Sequence, residues 1–356
     1  MRRALGLLGA AILLGLACSA PAPAANPAAR ASSAPAAGAP SSSTAGAPAA
    51  ASATVVVGYI PVTVAAPIYV AVEKGYFAEQ GITADLQLFT SGAEILTQTA
   101  AGHLNIGTVA SVGSAALNAL QTGVDVKIMG TGHAESRATP TTTFVVRKVD
   151  SHLPSVAELR GHKLAINSVG VATEYILALG LATADLRIED IDLQQMPFPD
   201  MVAALTNGSI DAAVMAEPFI TRVVQQDIAE PLPNVVPDKL QTTVTYINSR
   251  WAASNADAAR RFTVAWLKAI RELQGDAFAR DDIAAIVAKY TRLEPAVIKA
   301  SAMPYFAPSG KPNVDSIMEQ QRFFLQRGAL KYSELLDIRQ YVDDSFVEYA
   351  ARQLGS

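Results

Sequence analysis

Cysteine is almost missing from this chain of 356 residues: the single one, Cys18, stands near the amino terminus. Beyond it there is no thiol, which excludes disulfides, thiolate nucleophiles and cysteine-ligated metals from everything that follows. Basic residues form no run and no stripe, aromatic residues do not alternate with them, and the formal net charge is only -4. That pattern lacks the electrostatic footprint of a nucleic-acid binder. After Leu16 no apolar stretch is long enough to span a bilayer as a helix. A Gly-x-x-x-x-Gly-Lys-Ser/Thr loop, a Gly-x-Ser-x-Gly elbow and a His-Glu-x-x-His helix are all absent. His103 and His162 have no second histidine or acid at ligand spacing, so both are expected on the surface, with no metal and no cofactor.

What is present begins with Met1-Arg2-Arg3, an apolar run from Ala4 to Leu16, and the segment Leu14-Gly15-Leu16-Ala17-Cys18. This reads as an export signal over residues 1–17. Its end resembles a bacterial lipobox, with Gly15 where leucine usually stands. The resemblance implies cleavage before Cys18 and lipidation of that cysteine, which would hold the protein on the outer face of the cell membrane. The competing reading is an ordinary signal peptide with an incidental cysteine and a periplasmic product; export follows from either. Residues 18–53 are almost wholly Ala, Pro, Ser and Gly, a composition that cannot bury a core and reads as a flexible tether.

From residue 54 onward the length suits about two domains. Strands are expected at Val55 to Ile60, Ala84 to Phe89, Leu104 to Val109, Lys127 to Met129, Phe144 to Val146, Lys163 to Asn167, Leu193 to Met196 and Ala212 to Met215. Segments with apolar residues at helical spacing lie between them, which argues for parallel sheets covered by helices on both faces. From Asp257 to Gln353 the signal is almost all helical. An internal echo runs through the chain: Thr99-Ala100-Ala101-Gly102-His103-Leu104-Asn105-Ile106 is matched by Leu205-Thr206-Asn207-Gly208-Ser209-Ile210-Asp211-Ala212. In both, a helix ends at a glycine suited to a left-handed cap and a buried strand follows, as if one unit were built twice.

Several segments in order resemble the solute-binding proteins of ABC importers, in the nitrate, sulfonate and taurine group that includes thiamine-pyrimidine and riboflavin binders. They are Gly58-Tyr59-Ile60-Pro61, Ala66-Pro67-Ile68-Tyr69, Glu73-Lys74-Gly75-Tyr76-Phe77, Ala101-Gly102-His103-Leu104, Glu158-Leu159-Arg160-Gly161, Ala203 to Ala212 and Ala216-Glu217-Pro218. The resemblance implies a type II periplasmic-binding-protein fold, with two α/β lobes, two hinge crossings and a ligand cleft. Lobe 1 is expected over 54–140 and 247–356, and lobe 2 over 141–246. The crossings are expected near Ser136 to Thr143 and Thr242 to Ser249, where threonine-rich stretches suit extended hinge strands. It further implies a monomer that captures a small molecule by hinge closure and delivers it to a membrane permease driven by a separate ATPase. A thiamine-pyrimidine-synthase-like enzyme is the competing class. That relative uses a cysteine-rich motif absent here, so no catalysis is expected; a ligand-sensing partner of a membrane receptor would look the same in sequence.

In open α/β sheets ligands bind beyond the carboxyl ends of the strands. The turns there favour acceptors through free backbone N–H groups, although plain N-capping competes for any one Ser or Thr. The candidate ligand contacts are Tyr59, Pro61, Thr63, Ser91, Gly92, Thr108, Ser168, Gly170, Tyr175, Phe198, Asp200 and Glu217. These segments hold no Lys or Arg but do hold Glu94, Asp200 and Glu217, acids that would oppose a bare anion unless they point away. A neutral or amine-bearing heterocycle, such as riboflavin or a thiamine pyrimidine precursor, therefore fits better than a sulfonate, taurine or nitrate. Tyr59, Tyr175 and Phe198 are the expected stacking surface.

Overall fold

β-Branched runs form ten strands in the computed structural model, which describes residues 52–136, 139–147, 153–232, 236 and 238–355. The expected signal, Cys18 and the tether up to residue 51 lie outside the described residues. In chain order the strands are β1 (Ala53–Tyr59), β2 (Ile82–Leu88), β3 (Ile106–Ser111), β4 (Val126–Ala134), β5 (Thr142–Arg147), β6 (Lys163–Ile166), β7 (Asp192–Gln195), β8 (Ala212–Ala216), β9 (Ala229–Pro231) and β10 (Gln241–Asn248). They make two five-stranded sheets, ordered β2-β1-β3-β10-β4 and β7-β6-β8-β5-β9. The tether, expected to reach residue 53, gives way to β1 at Ala53.

Two expectations need correction. Parallel pairing holds for β2-β1-β3 and β7-β6-β8, but β10 runs antiparallel to β3 and β4, and β5 runs antiparallel to β8 and β9. Each reversed strand is the first one after the chain passes between sheets. Having left one sheet at the end that faces the other, the chain must enter its new sheet from that same end. The second passage also lies earlier than expected, over 232–240. Thr242 to Thr245 belong to β10 in the first sheet, so the second lobe does not extend to residue 246. The threonines are strand residues there: Thr245 Oγ1 donates to Thr131 O at 3.0 Å, and Thr243 Oγ1 accepts from His133 N at 3.2 Å.

The repeated sequence unit has a structural counterpart. The helix Gly92–Ala100 leads past Gly102 (φ 81°) into β3, and the helix Phe198–Asn207 leads past Gly208 (φ 75°) into β8. The residue before each of these central strands turns its side chain onto the neighbouring parallel strand. Asn105 Oδ1 accepts from Val56 N at 2.8 Å, and Asp211 Oδ2 accepts from Lys163 N at 2.9 Å. Their own N–H groups donate to Val56 O and Lys163 O, both at 2.9 Å. A short polar side chain at this position pins the start of the middle strand in each sheet.

The carboxyl-terminal helices cover the first sheet. Phe262 on the helix Ala256–Glu272 stacks on Phe77 at 4.7 Å, and Lys74 pairs with Glu272 and Asp282, both of which also hold Arg280. Close approach of the helix Gly92–Ala100 to β3 needs a glycine at 107. A Cβ there would lie 2.5 Å from Thr99 Oγ1 and 2.6 Å from Ile95 Cγ2. Gly107→Ala is expected to lower the unfolding free energy by about 1–3 kcal/mol through overpacking, measured by denaturant unfolding.

Candidate functional site

The two sheets meet at the carboxyl ends of their parallel strands, and backbone groups of one half bond to the other. Ala172 N donates to Ser111 Oγ at 3.0 Å, Ala115 N donates to Gly170 O at 3.0 Å, and Thr63 N and Oγ1 donate to Glu217 O at 3.2 and 3.3 Å. So close a meeting requires glycine. A Cβ on Gly113 would overlap Gly170 O and stand 2.7 Å from Val171 Cα, while Gly170 itself adopts φ 80°.

Inside this seam lies a cavity of ≈ 50 Å³. It has room for a few waters and is small beside the roughly 300–1,000 Å³ of drug-sized ligand sites. Its apolar wall comes from both halves: Ile60, Val62, Val64 and Val109 face Val171, Ile176 and Phe198. Val109 is held at φ 55°, a left-handed conformation that a β-branched residue rarely adopts. Beside it the pairing of β3 with β10 shifts register, so a bulge re-aims the end of the central strand at the cavity wall.

The polar wall consists of Ser111, His133, Thr242 and Thr243 from the first half and Thr142, Asn167 and Thr173 from the second. Ser111 Oγ accepts from both Gly113 N and Ala172 N, which leaves its O–H to donate. The hydroxyl of Thr142, a residue only 5 % exposed, makes no hydrogen bond among the described residues. Asn167 Oδ1 accepts from Thr173 Oγ1 at 2.6 Å, and its amide N–H groups make no hydrogen bond among the described residues. These donors come without any Lys or Arg among the lining residues.

The nearby acids are directed elsewhere. Glu94 accepts from Thr90 N and Oγ1, and Glu174 from Gly170 N at 2.6 Å. Glu217 accepts from Thr221 N at 3.0 Å, Thr221 Oγ1 at 2.9 Å and Ala302 N at 3.3 Å. Burial pushes its carboxyl above the ordinary carboxylate range despite these donors. None of the three lines the cavity.

Of the twelve residues proposed from sequence, Gly92 and Phe198 line the cavity. Pro61, Ser168 and Gly170 lie in the same loops as lining residues, and Thr63 and Glu217 bridge the seam. Ser91 caps its helix by accepting from Glu94 N. Four are placed away from the cavity. Tyr59 packs edge-on against Tyr69 at 5.6 Å within a tyrosine cluster completed by Tyr290. Thr108 Oγ1 donates to Gly58 O at 2.8 Å and so ties β3 to β1. Tyr175 packs on Phe323 at 4.8 Å, and Asp200 is exposed on the first turn of its helix. Strand-end position alone does not settle which side of the sheet a residue takes. His133, Thr142, Asn167, Thr242 and Thr243 were not among the candidates. Their signal lay in extending the strands: β4 runs to Ala134 and β10 takes in the threonine run, which carries both to the seam.

The raised Glu217 pKa means that the folded chain holds this proton more tightly than the unfolded chain does. The stability so supplied is present below the ordinary carboxylate range and is lost as pH rises through the raised value. Relative to Glu217→Gln, the wild type is therefore expected to lose stability as pH rises above the ordinary carboxylate range, which denaturant unfolding of both proteins as a function of pH will read.

Comparison with known proteins agrees with this architecture. The chain is 28% identical to the taurine-binding periplasmic protein of Escherichia coli over 159 residues, covering 44% of this chain and 47% of the relative. It is 28% identical to a riboflavin-binding protein of Chloroflexus aurantiacus over 215 residues, covering 59% of this chain and 57% of the relative. The matches thus span about half the length of the curated relatives. Among solved structures, the alkanesulfonate-binding protein of Xanthomonas axonopodis pv. citri has the same fold, with a TM-score of 0.68 at 19% identity over 83% of this chain and 99% of that one. The profile of the NMT1-like family matches residues 48–288, and the chain belongs to that family.

Proposed function

We propose that this protein is the exported substrate-binding component of an ABC importer, which captures one small molecule between its two halves and hands it to a permease driven by a separate ATPase. The carrying observation is the cavity at the strand carboxyl ends, sealed by hydrogen bonds donated from each half to the other. A ligand that touches both walls stabilises the shut form, and closure is then a hinge motion about the two passages between sheets. Lipidation at Cys18 and a monomeric state complete the reading. No catalysis is assigned: His133, the histidine lining the cavity among the described residues, has both ring nitrogens engaged by protein groups.

The lining favours a neutral heterocycle with carbonyl or ring-nitrogen acceptors. Its body would rest on Phe198 and the valine wall, and its acceptors would meet Ser111, Thr142 and Asn167. A buried full negative charge without a cation carries a large desolvation cost. The second reading is an alkanesulfonate, favoured by the three free donors and by the outward direction of Glu94, Glu174 and Glu217. At ≈ 50 Å³ the cavity as it stands holds neither a flavin nor a pyrimidine, so the halves part for entry and close over the ligand to a less tightly shut form.

Thermal unfolding with riboflavin, a thiamine pyrimidine precursor, taurine and nitrate tests the assignment. A ligand at a hundred times its Kd adds about 2.7 kcal/mol, a readable rise in Tm. A rise with riboflavin or the pyrimidine supports the heterocycle; a rise with taurine alone transfers the assignment to the sulfonate, and a flat response to all four argues against both. Gly113→Ala, which adds a methyl group inside the seam, is expected to abolish any such rise.

A further inference from the structure

A buried carboxylate joins the cavity to both passages between the sheets. Glu135 is the first residue after β4, and its side chain is fully buried. One oxygen, Oε1, stands 3.2 Å from His133 Nε2. The other accepts from Thr141 N at 2.7 Å, Thr141 Oγ1 at 3.1 Å and Thr142 N at 3.3 Å, where the first passage becomes β5. The backbone of Glu135 meets the second passage: its N donates to Leu240 O, and its O accepts from Lys239 N, both at 2.8 Å. The His133 ring, which lines the cavity, is held on its other edge by Thr243 Oγ1 at 2.9 Å, and Thr242 Oγ1 lies 2.7 Å from Nε2.

We propose that Glu135 and His133 form the positioning element of the hinge, fixing the ends of both passages at Thr141 and Leu240 as the shut cleft requires and tying them to the cavity wall through the His133 ring and Thr142. The inference rests on the reading that the cleft opens and closes. The geometry supports it in two ways. A fully buried carboxylate is strongly unfavourable unless its lone pairs are filled, and the donors that fill these come from elements that must shift relative to each other when the halves part. The same cluster supplies four of the cavity's polar lining residues, His133, Thr142, Thr242 and Thr243, so a group that displaces any of them acts directly on the groups that hold the passages.

Pulsed electron resonance on the full chain tests this. Spin labels are placed at Asp85→Cys on β2 and Asp192→Cys on β7, with Cys18→Ser in every sample. The parent is expected to give a predominantly short inter-sheet distance with a minor long-distance component. Glu135→Gln is expected to raise the long-distance fraction about twofold or more, as a bias on a two-state equilibrium. Gly113→Ala, which blocks the seam sterically, serves as the opening control. If Gly113→Ala lengthens the distance and Glu135→Gln does not, the hinge role is overturned while the closing cleft stands. If Gly113→Ala leaves the distance unchanged, the closing cleft fails and the inference fails with it. Lower thermal stability with an unshifted distance distribution marks Glu135 as merely structural and also overturns the proposal. Should Glu135→Gln not fold, His133→Gln carries the same comparison, with the same expected rise and the same overturning result.

Discussion

Everything in this protein depends on how backbone groups at the ends of two separate sheets are satisfied. Parallel strands finish in loops whose N–H groups have no ladder to join, and burying them unpaired would cost more than a modest apolar contact returns. Here the halves supply partners to each other: Ser111 accepts from Ala172, Gly170 from Ala115, and the Glu217 carbonyl from Thr63. Water can fill the same roles when the halves part, so the exchange is close to balanced. Under the proposed function, that balance would let a small ligand decide between an open and a shut form.

The same economy of partners explains the acids around the cleft. Four carboxylates, on Glu94, Glu135, Glu174 and Glu217, sit near the strand ends, and each accepts from backbone N–H groups of loops or helix starts. They brace the loops and leave the cavity wall to hydroxyls, an amide, the His133 imidazole and apolar side chains. The wall is thus polar while carrying no Lys, Arg or carboxylate. It can discriminate by the direction of hydrogen bonds, and the strain held at Val109 fixes the direction in which the central strand approaches it.

Much of the fold was legible in the sequence because its rules are local. All eight strands expected from β-branched runs appear, and the glycine-capped unit repeated at Asn105 and Asp211 marks the centre of each sheet. The strands that were missed, β9 and β10, failed for different reasons. Ala229–Pro231 is too short to carry a periodic signal. Gln241–Asn248 carried one, but its threonines suit a hinge and a buried strand equally well. Only the neighbours β3 and β4 decide between these, and they are more than a hundred residues away in the chain.

The site divides along the same line. Composition and order along the chain determined the two-sheet α/β class and pointed to the strand carboxyl ends as the place for a site, since each follows from residue type and near-neighbour pattern. Tertiary structure alone decided which residues of those loops face the cavity. Tyr59 and Asp200 turn away, Phe198 turns inward, and His133 reaches the wall from a strand longer than its apolar core suggests. The physical reason is that a side chain's direction at a strand end is set by the partner strand, the bulge beside it and the opposing half. None of these is encoded within a few residues of the side chain itself.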